Sequence, residues 1–350
     1  MKLALAVALL ASIASAGAPP QRVAAAQPCK VIVFPPYGRY AASGPLHGPG
    51  LMLGGGGALE EPPSAFAWMH DRIVGATRAR SGNVVVLRAS GSDLYDKPFY
   101  QYGNFASEQT VFIPPCASRA QADSAAWVVR RADAVFFAGG DQANYVAWDG
   151  SKLIAAVKHV YARGGVVGGG SAGLAIQGAV VYDSRAADLM GVETHTADAV
   201  ANPAEPRISF TVGMFAWPAL ARTITDTHFA VRDRFGRLVA FLARITNEQL
   251  IPPGPVYGLG VDQASVVVVD PDGMATVLNA PGGKGAYLLR GHDVVLAYNG
   301  GPLVYTVDVS HVARNGERFD LLHKTTDQPW YKVTVDGRRK PPYSRNPYGP

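Results

Sequence analysis

Short apolar runs alternate with longer amphipathic segments through the first half of this chain. An unbroken apolar run is typical of a strand buried on both faces, whereas apolar residues that recur every three or four positions indicate a helix. The predicted strands cover residues 51–53, 83–87, 108–113 and 134–137 and a run that leads into Gly169. The predicted helices cover residues 64–80, 120–131 and 152–163. Strands that alternate with helices predict a doubly wound, mostly parallel α/β sheet.

The pattern changes after residue 256, where short alternating runs are separated by Asp-Gly and Gly-Gly turns. Such runs predict antiparallel hairpins and therefore a β-rich C-terminal part. We expect four regions along the chain. They are a signal peptide at residues 1–16, an N-terminal extension at 17–48, an α/β domain at 49–290 and a β-rich extension with a tail at 291–350.

The first sixteen residues have the layout of a secretory signal. Lys2 precedes an apolar run at residues 3–13, and small residues follow at 14–16. The run is too short to span a bilayer, so the sequence predicts a secreted or periplasmic protein without a membrane anchor after cleavage. Two cysteines, Cys29 and Cys116, allow one disulfide in such a compartment, and two free thiols are the alternative.

Charge and metal-ligand spacing exclude several classes of function. The formal net charge is +5, but the basic residues are scattered rather than clustered, so we expect no nucleic-acid partner. The eight histidines never stand four positions apart, and two cysteines cannot form a thiolate cluster. The sequence therefore predicts no metal site, and it leaves open whether the protein is a monomer or a homodimer.

A G-x-S-x-G sequence at residues 169–173 is typical of a nucleophile elbow, in which a sharp strand-to-helix turn exposes a serine. It predicts Ser171 as a nucleophile, with the backbone N–H of Ala172 as an oxyanion donor. A purely structural glycine-rich turn is the first alternative. A dinucleotide-binding loop is the second, because residues 168–173 also match G-x-G-x-x-G, but the next strand-like run at 179–182 begins too soon for a full crossover helix.

A serine nucleophile needs a base, and His228 is the best candidate by context. It lies in a segment, residues 224–238, that also holds Asp226 and three arginines. A histidine that ends an apolar run is often only structural, and the arginines alone could form an exposed helical face. Their presence in one chain with a serine elbow favours a hydrolytic site.

Four segments together resemble the cyanophycinase family of serine exopeptidases in order and spacing. They are residues 137–142, 169–173, 226–238 and 258–262. The wider group includes the aspartyl dipeptidase, and its core is similar to class I glutamine amidotransferases. The resemblance implies hydrolysis of cyanophycin, a polyaspartate with arginine on each β-carboxyl group, to β-Asp-Arg dipeptides without a cofactor.

The resemblance also implies a role for each matching residue. Ser171 is then the nucleophile, His228 is the base, and the backbone of Gly140 joins that of Ala172 as an oxyanion donor. Arginines suit the substrate's carboxylates, and an acid such as Asp226 suits its guanidinium group. The implied substrate pocket holds Gln142, Asp226, Thr227, Arg232, Arg234 and Arg237.

Two positions depart from the family pattern. Gln263 stands where the family has Glu, so the third member of the triad is an amide, which can orient His228 but brings no negative charge. Asp262 or Asp226 is the alternative for that place. Thr227 replaces a glutamine and leaves the substrate open. Three hypotheses for the function follow. The first is an exported serine peptidase that acts on cyanophycin or another β-aspartyl peptide. The second is a non-catalytic binding protein, and the third is an aspartyl dipeptidase or amidotransferase.

Overall fold

The computed structural model describes residues 29–57, 61–77, 79–91, 95–191, 193–292 and 300–349. The expected signal peptide at 1–16, and the expected N-terminal extension up to residue 28, lie outside the described residues.

Seventeen strands occur in the described parts of the chain. They are β1 Ile32–Val33, β2 Tyr37–Gly38, β3 Gly50–Gly54, β4 Ser81–Arg88, β5 Phe105–Phe112, β6 Ala134–Phe137, β7 Val166–Gly170, β8 Val180–Tyr182, β9 Phe210–Val212, β10 Thr223–Asp226, β11 Tyr257–Val261, β12 Ser265–Val269, β13 Met274–Asn279, β14 Ala286–Arg290, β15 Val304–Val312, β16 Arg318–Asp320 and β17 Trp330–Asp336.

Nine α-helices connect these strands within the same described ranges. They are α1 Pro63–Val74, α2 Arg119–Asp123, α3 Ala126–Arg130, α4 Gln142–Val146, α5 Lys152–Ala162, α6 Ala172–Ala175, α7 Arg185–Met190, α8 Thr196–Ala201 and α9 Phe235–Asn247. A π-helical turn at Pro98–Tyr102 and a 3-10 turn at Pro218–Leu220 complete the set.

The first sheet has a parallel centre. Its strand order is β1-β5-β4-β6-β7-β3-β12-β13-β16, with β2 also paired to β5, and the five strands from β5 to β3 run parallel. Strands β1, β2, β12, β13 and β16 are antiparallel additions at the two sides. The predicted α/β class, with a parallel central sheet and antiparallel strands, is confirmed.

Alternate side chains of the parallel strands enter two different core clusters. Leu51 and Leu53 belong to one cluster with α3 and α5, whereas Met52 belongs to another with α1 and the π-helical turn. Because side chains alternate across a strand, the two clusters lie on opposite faces of the sheet. Both faces are therefore covered, which is why these strands are apolar throughout.

A second sheet packs on the side of α3 and α5. Its order is β17-β15-β14-β11-β10-β8-β9, and β8, β10 and β11 run parallel. Leu259 and Leu288 join the cluster that faces the first sheet, while Ile224 and Tyr287 face α9 in a third cluster. The expected β-rich extension, residues 291–350, supplies β15 and β17 to this sheet and β16 to the first.

Two predicted helices have different bounds in the structure. The helix predicted at 64–80 ends at Val74, because Gly75 follows with φ +75° as its C-cap. The helix predicted at 120–131 is two short helices, α2 and α3. The hydroxyl of Ser124 donates to the carbonyl of Gln121 at 2.6 Å, a local bond that competes with helix continuation.

A disulfide joins Cys29 to Cys116, with Cα atoms 5.5 Å apart. It ties the first described residue to the loop after β5, beside the pairing of β1 with β5. Among the described residues, no helix combines the length and the apolar character that crossing a bilayer requires.

Candidate active site

Ser171 lies at the turn between β7 and α6, at the carboxyl end of a central parallel strand. Its backbone has φ 53° and ψ −116°, a strained conformation for a residue with a side chain. The flanking glycines allow the turn to pack. A Cβ on Gly169 would lie 2.5 Å from the backbone of Gly173, and one on Gly173 would lie 2.1 Å from the carbonyl oxygen of Phe137. This local packing explains the G-x-S-x-G pattern.

His228 follows β10 of the second sheet and reaches Ser171 across the boundary between the sheets. Its Nε2 atom lies 2.9 Å from Ser171 Oγ, and its backbone N–H donates to Gly55 O at 2.8 Å. Burial, with the positive charge of Arg232, lowers the pKa of His228 to about 4. The imidazole is therefore neutral near pH 7 and can accept the serine proton.

Gln263 supplies the partner on the other ring nitrogen. Its Oε1 atom lies 3.1 Å from His228 Nδ1, so an N–H at Nδ1 donates to the amide oxygen and leaves the Nε2 lone pair directed at the serine. Asp262 is engaged elsewhere, since its Oδ1 accepts from the backbone N–H groups of Ala230 and Val231 at 2.8 and 3.0 Å. The residue beside His228 Nδ1 is thus the amide rather than either neighbouring acid.

Gly56 brings the first sheet's loop against both reactive side chains. It follows β3 with φ +99°, and a Cβ there would lie 2.5 Å from His228 Nε2 and 2.9 Å from Ser171 Cβ. Any side chain would displace the base or the nucleophile. The glycine run at 54–57 was visible in the sequence, but its role depends on the approach of His228.

A cavity of about 500 Å³ opens beside Ser171. Both expected oxyanion donors, Gly140 and Ala172, lie on its wall. The backbone N–H of Ser171 itself is already used, because it donates to Gly54 O at 3.0 Å. The lining residues are Gly140, Asp141, Gln142, Ser171, Ala172, Tyr182, Ser184, Ala187, Asp188, Gly191, Glu193, Thr227, Arg232, Arg234 and Arg237.

Arginines form one wall of this cavity. Arg234 donates to the carbonyl and hydroxyl oxygens of Thr227 at 3.0 and 2.9 Å and pairs with Glu193 at 2.5 Å. Burial and the charge of Arg237 lower the pKa of Arg234 to about 10, so it stays cationic near pH 7. Arg232 is exposed, and its side chain has no hydrogen-bond or ion-pair partner among the described residues.

Asp226 lies behind this wall rather than on it. It is 3% exposed and does not line the cavity. Arg237 binds it with two bonds, Nε to Oδ2 at 2.8 Å and Nη2 to Oδ1 at 2.6 Å. Burial opposes ionisation of Asp226, but the charged bonds from Arg237 outweigh it and hold the pKa of the carboxyl group below its usual value. We therefore reassign Asp226 from the substrate's guanidinium group to support of Arg237.

Two acids of the cavity lining, Asp141 and Asp188, were given no role from the sequence. Asp141 accepts from the Ser184 hydroxyl at 2.9 Å, and Asp188 lies beside it. Partial burial, with the neighbouring Asp141, raises the pKa of Asp188 to about 7. Gln142 contributes to the same lining, with its amide nitrogen 3.4 Å from Tyr182 O. Asp141 stands inside the segment 137–142, where the sequence alone gave it no role, whereas Asp188 stands outside the four segments and carries no signal in a single sequence.

A second cavity, of about 280 Å³, meets Ser171 and His228 from the other side. It is lined by the buried residues Glu61, Arg88 and Tyr95, and the Tyr95 hydroxyl donates to Glu61 at 3.3 Å. Ser171 therefore lies where two cavities meet. No group of three or more metal-ligand side chains occurs among the described residues.

No protein-family model and no curated protein matches this chain. Solved structures do resemble it. A peptidase from an acI-B1 Actinobacterium is 15% identical, covers 84% of this chain and 98% of its own, and gives a TM-score of 0.43. A putative peptidase E protein from Listeria monocytogenes EGD-e is 11% identical, covers 67% of this chain and 99% of its own, and gives 0.40. Similarity at this level leaves the function to the geometry of the site.

Proposed function

We propose that this protein is a serine-type peptidase. The observation that carries the proposal is the line of three side chains in which Ser171 Oγ, His228 Nε2, His228 Nδ1 and Gln263 Oε1 are joined at 2.9 and 3.1 Å. A serine held at positive φ beside a neutral imidazole is the arrangement that nucleophilic acyl transfer requires.

In this reaction the Ser171 oxygen attacks the scissile carbonyl carbon while its proton passes to His228 Nε2. The carbonyl oxygen becomes an oxyanion, which the N–H groups of Gly140 and Ala172 stabilise. Collapse of the tetrahedral intermediate breaks the C–N bond, and His228 returns the proton to the leaving amine. Water then attacks the acyl-enzyme and gives a proton to His228, the bond between the acyl carbon and Ser171 Oγ breaks, and His228 returns the proton to Oγ. Gln263 keeps the imidazole in the productive tautomer throughout.

The charges of the large cavity support a substrate that carries both signs. Arg232 and Arg234 provide cationic donors for carboxylates, and Asp141 and Asp188 of the same lining provide acceptors for a guanidinium group. The β-Asp-Arg unit of cyanophycin has both groups. We therefore propose cyanophycin, or a closely related β-aspartyl peptide, as the substrate. Asp141 and Asp188, rather than Asp226, then accept the guanidinium group of the substrate.

Export is part of the same proposal. The signal-like residues 1–16 and the disulfide between Cys29 and Cys116 both fit a secreted or periplasmic protein. Expression of the full chain in a Gram-negative host, followed by N-terminal sequencing of the exported product, checks the cleavage. A product that keeps residues 1–16 in the cytoplasm contradicts it.

The direct test is hydrolysis of cyanophycin by the purified mature protein and by Ser171→Ala. We expect release of β-Asp-Arg by the former and loss of turnover in the latter. Labelling with a fluorophosphonate, which reacts with activated serines, should also disappear in Ser171→Ala. Turnover that survives the substitution overturns the nucleophile assignment. Faster hydrolysis of α-linked Asp-X dipeptides than of cyanophycin redirects the proposal to a dipeptidase.

Gln263 favours one competing function, a binding protein on the same scaffold. An amide cannot stabilise the imidazolium ion as a carboxylate does, so the site could bind peptide and turn over slowly or not at all. Calorimetry with β-Asp-Arg distinguishes the two. Binding without hydrolysis and without fluorophosphonate labelling supports the binding protein.

A further inference from the structure

The C-terminal tail, residues 342–348, returns along β17 and is fixed to it. Ser344 N donates to Thr334 O at 2.9 Å, and Asp336 N donates to Pro342 O at 2.7 Å. The Tyr331 hydroxyl donates to Pro347 O at 3.0 Å. The tail thus has anchors of its own on the second sheet, and it belongs to the region outside the cyanophycinase resemblance.

Two tyrosines of this tail bind one carboxylate in the loop after His228. The Tyr343 and Tyr348 hydroxyl groups donate to the same Oδ1 atom of Asp233, at 2.8 and 2.7 Å. The Tyr348 hydroxyl also accepts from the backbone N–H of Phe235 at 3.0 Å, and the Thr196 hydroxyl donates to the carbonyl of Asp233. Asp233 is exposed as a residue, so these contacts are what restrain it.

The rings of Tyr343 and Tyr348 also pack against buried aromatic side chains. Tyr348 contacts Phe229, Phe235 and Tyr287 with ring centroids 6.0, 6.1 and 5.8 Å away, and Tyr343 contacts Phe235 at 5.6 Å. Burial and the neighbouring charge raise the pKa of both tyrosines far above the usual value, so both remain donors at any working pH.

Asp233 lies between Arg232 and Arg234, two of the three arginines that line the cavity, and its φ of +46° sets the direction in which the chain leaves it. The backbone N–H of Arg232 donates to His228 O at 3.0 Å, so the loop connects the arginines to the base. Asp233 is thus the link between the backbones of the two arginines, on the same loop as His228.

We propose that Tyr343 and Tyr348 are positioning residues that hold Arg232 and Arg234 in place for the substrate carboxylates through Asp233. We call the three residues Tyr343, Tyr348 and Asp233 the tail clamp. The kinetic test of this proposal rests on the proposed peptidase function, whereas the structural test does not. It predicts that the tail outside the catalytic core sets substrate affinity.

The experiment uses the full mature chain with Tyr343→Phe, Tyr348→Phe and the double substitution. Each keeps the ring and removes one hydroxyl group. Tyr305→Phe is the control, because Tyr305 is a tyrosine of the same core cluster whose hydroxyl donates to a backbone carbonyl, that of His292, away from the loop. The measurements are KM and kcat on cyanophycin, the rate of fluorophosphonate labelling of Ser171, and crystal structures of the wild type and the variants.

We expect the double substitution to raise KM about fivefold, the effect of losing hydrogen bonds to a charged acceptor, with kcat and labelling changed less than about twofold. Asp233→Asn keeps an acceptor oxygen and should retain most of the affinity. If the double variant fails to fold, each single variant still removes one of the two donors and should show a smaller rise in KM.

An unchanged KM in the double variant overturns the proposal, as does an equal rise in Tyr305→Phe. Equal losses of kcat and labelling also overturn it, because they indicate general loosening of the fold. If the wild type neither hydrolyses cyanophycin nor reacts with the fluorophosphonate, the proposed function fails by itself. The crystal structures then test the tail clamp on their own. A shift of the Asp233 backbone and the Arg234 guanidinium group in the double variant supports the proposed positioning role, and unchanged positions refute it.

Discussion

The two sheets contribute different halves of the site. The first sheet supplies the nucleophile at the end of β7 and the glycine loop at the end of β3, and both are held by close backbone contacts. The second supplies His228 after β10 and Gln263 after β11, with arginines held by carboxylates and hydroxyl groups. The proposed reaction needs both halves, because Ser171 and His228 are 57 positions apart and meet across the sheets.

Because the two halves are held by different kinds of contact, we expect substitutions in each half to lower activity or stability for different physical reasons. Substitutions on the first sheet act through geometry, since a single carbon atom has no room beside Gly56 or Gly169. Substitutions on the second sheet act through charge and hydrogen bonding, since Asp226, Arg234 and Arg237 are buried and paired.

The largest expected effect tests whether the halves act as one unit. Ser171→Ala and His228→Ala should each lower kcat by about 10⁴-fold or more, because each removes an indispensable part of the same proton transfer. The double variant should be no worse than either single variant. Steady-state hydrolysis of cyanophycin checks this. Losses that multiply in the double variant would show that the two side chains act independently.

The next effect is on stability and concerns the second sheet alone. Asp226→Ala should lower the free energy of unfolding by about 3–5 kcal/mol, because it removes the close counter-charge of the buried Arg237 and leaves only the contact with the half-exposed Glu193 at 3.4 Å. Asp308→Ala is the control, since its partner Arg290 is 48% exposed and the loss should be about 1 kcal/mol or less. Urea unfolding of the three proteins measures both. Equal losses in the two variants would contradict the ranking.

Gly56→Ala tests the contact between the halves. We expect kcat to fall about 100-fold, because a Cβ within 2.5 Å of His228 Nε2 must shift the base away from the serine. Gly213→Ala separates this contact from backbone strain. Gly213 also has positive φ, at +78°, but nothing lies within 4 Å of its Cβ position. Comparable loss of activity in both variants would assign the effect to strain rather than to displacement of His228.

The first sheet was largely predictable and the second was not. Buried parallel strands are unbroken apolar runs, so β3, β4, β6 and β7 could be identified in the sequence, and the elbow followed from its glycines. By contrast, β10 is only four residues of mixed polarity, Thr223–Asp226. Its place beside β8 and β11 depends on long-range packing, which a local pattern does not contain.

The candidate site divides in the same way. Ser171, His228 and the arginines stand in recognisable segments of the sequence. Asp188 and the tail clamp do not, because their roles arise only where distant segments meet. Asp226 is the reverse case, because the sequence suggested a role that the structure assigns elsewhere. Its carboxylate suited a substrate guanidinium group, but in the structure it binds Arg237, eleven positions away.

The smallest expected effect tests whether charge matters at one contact, that between Gln263 Oε1 and His228 Nδ1. Gln263→Glu places a negative charge beside His228 Nδ1, which stabilises the imidazolium ion, so kcat near pH 7 should rise about tenfold. The base must be neutral to work, and the His228 pKa of about 4 puts the acid limb of kcat/KM near pH 4 in the wild type. The carboxylate should raise that pKa by roughly 1–3 units and move the limb to higher pH. Gln263→Ala, which removes the acceptor, should lower kcat instead. A pH profile of Gln263→Glu that coincides with the wild type would mean that the amide does not orient the base.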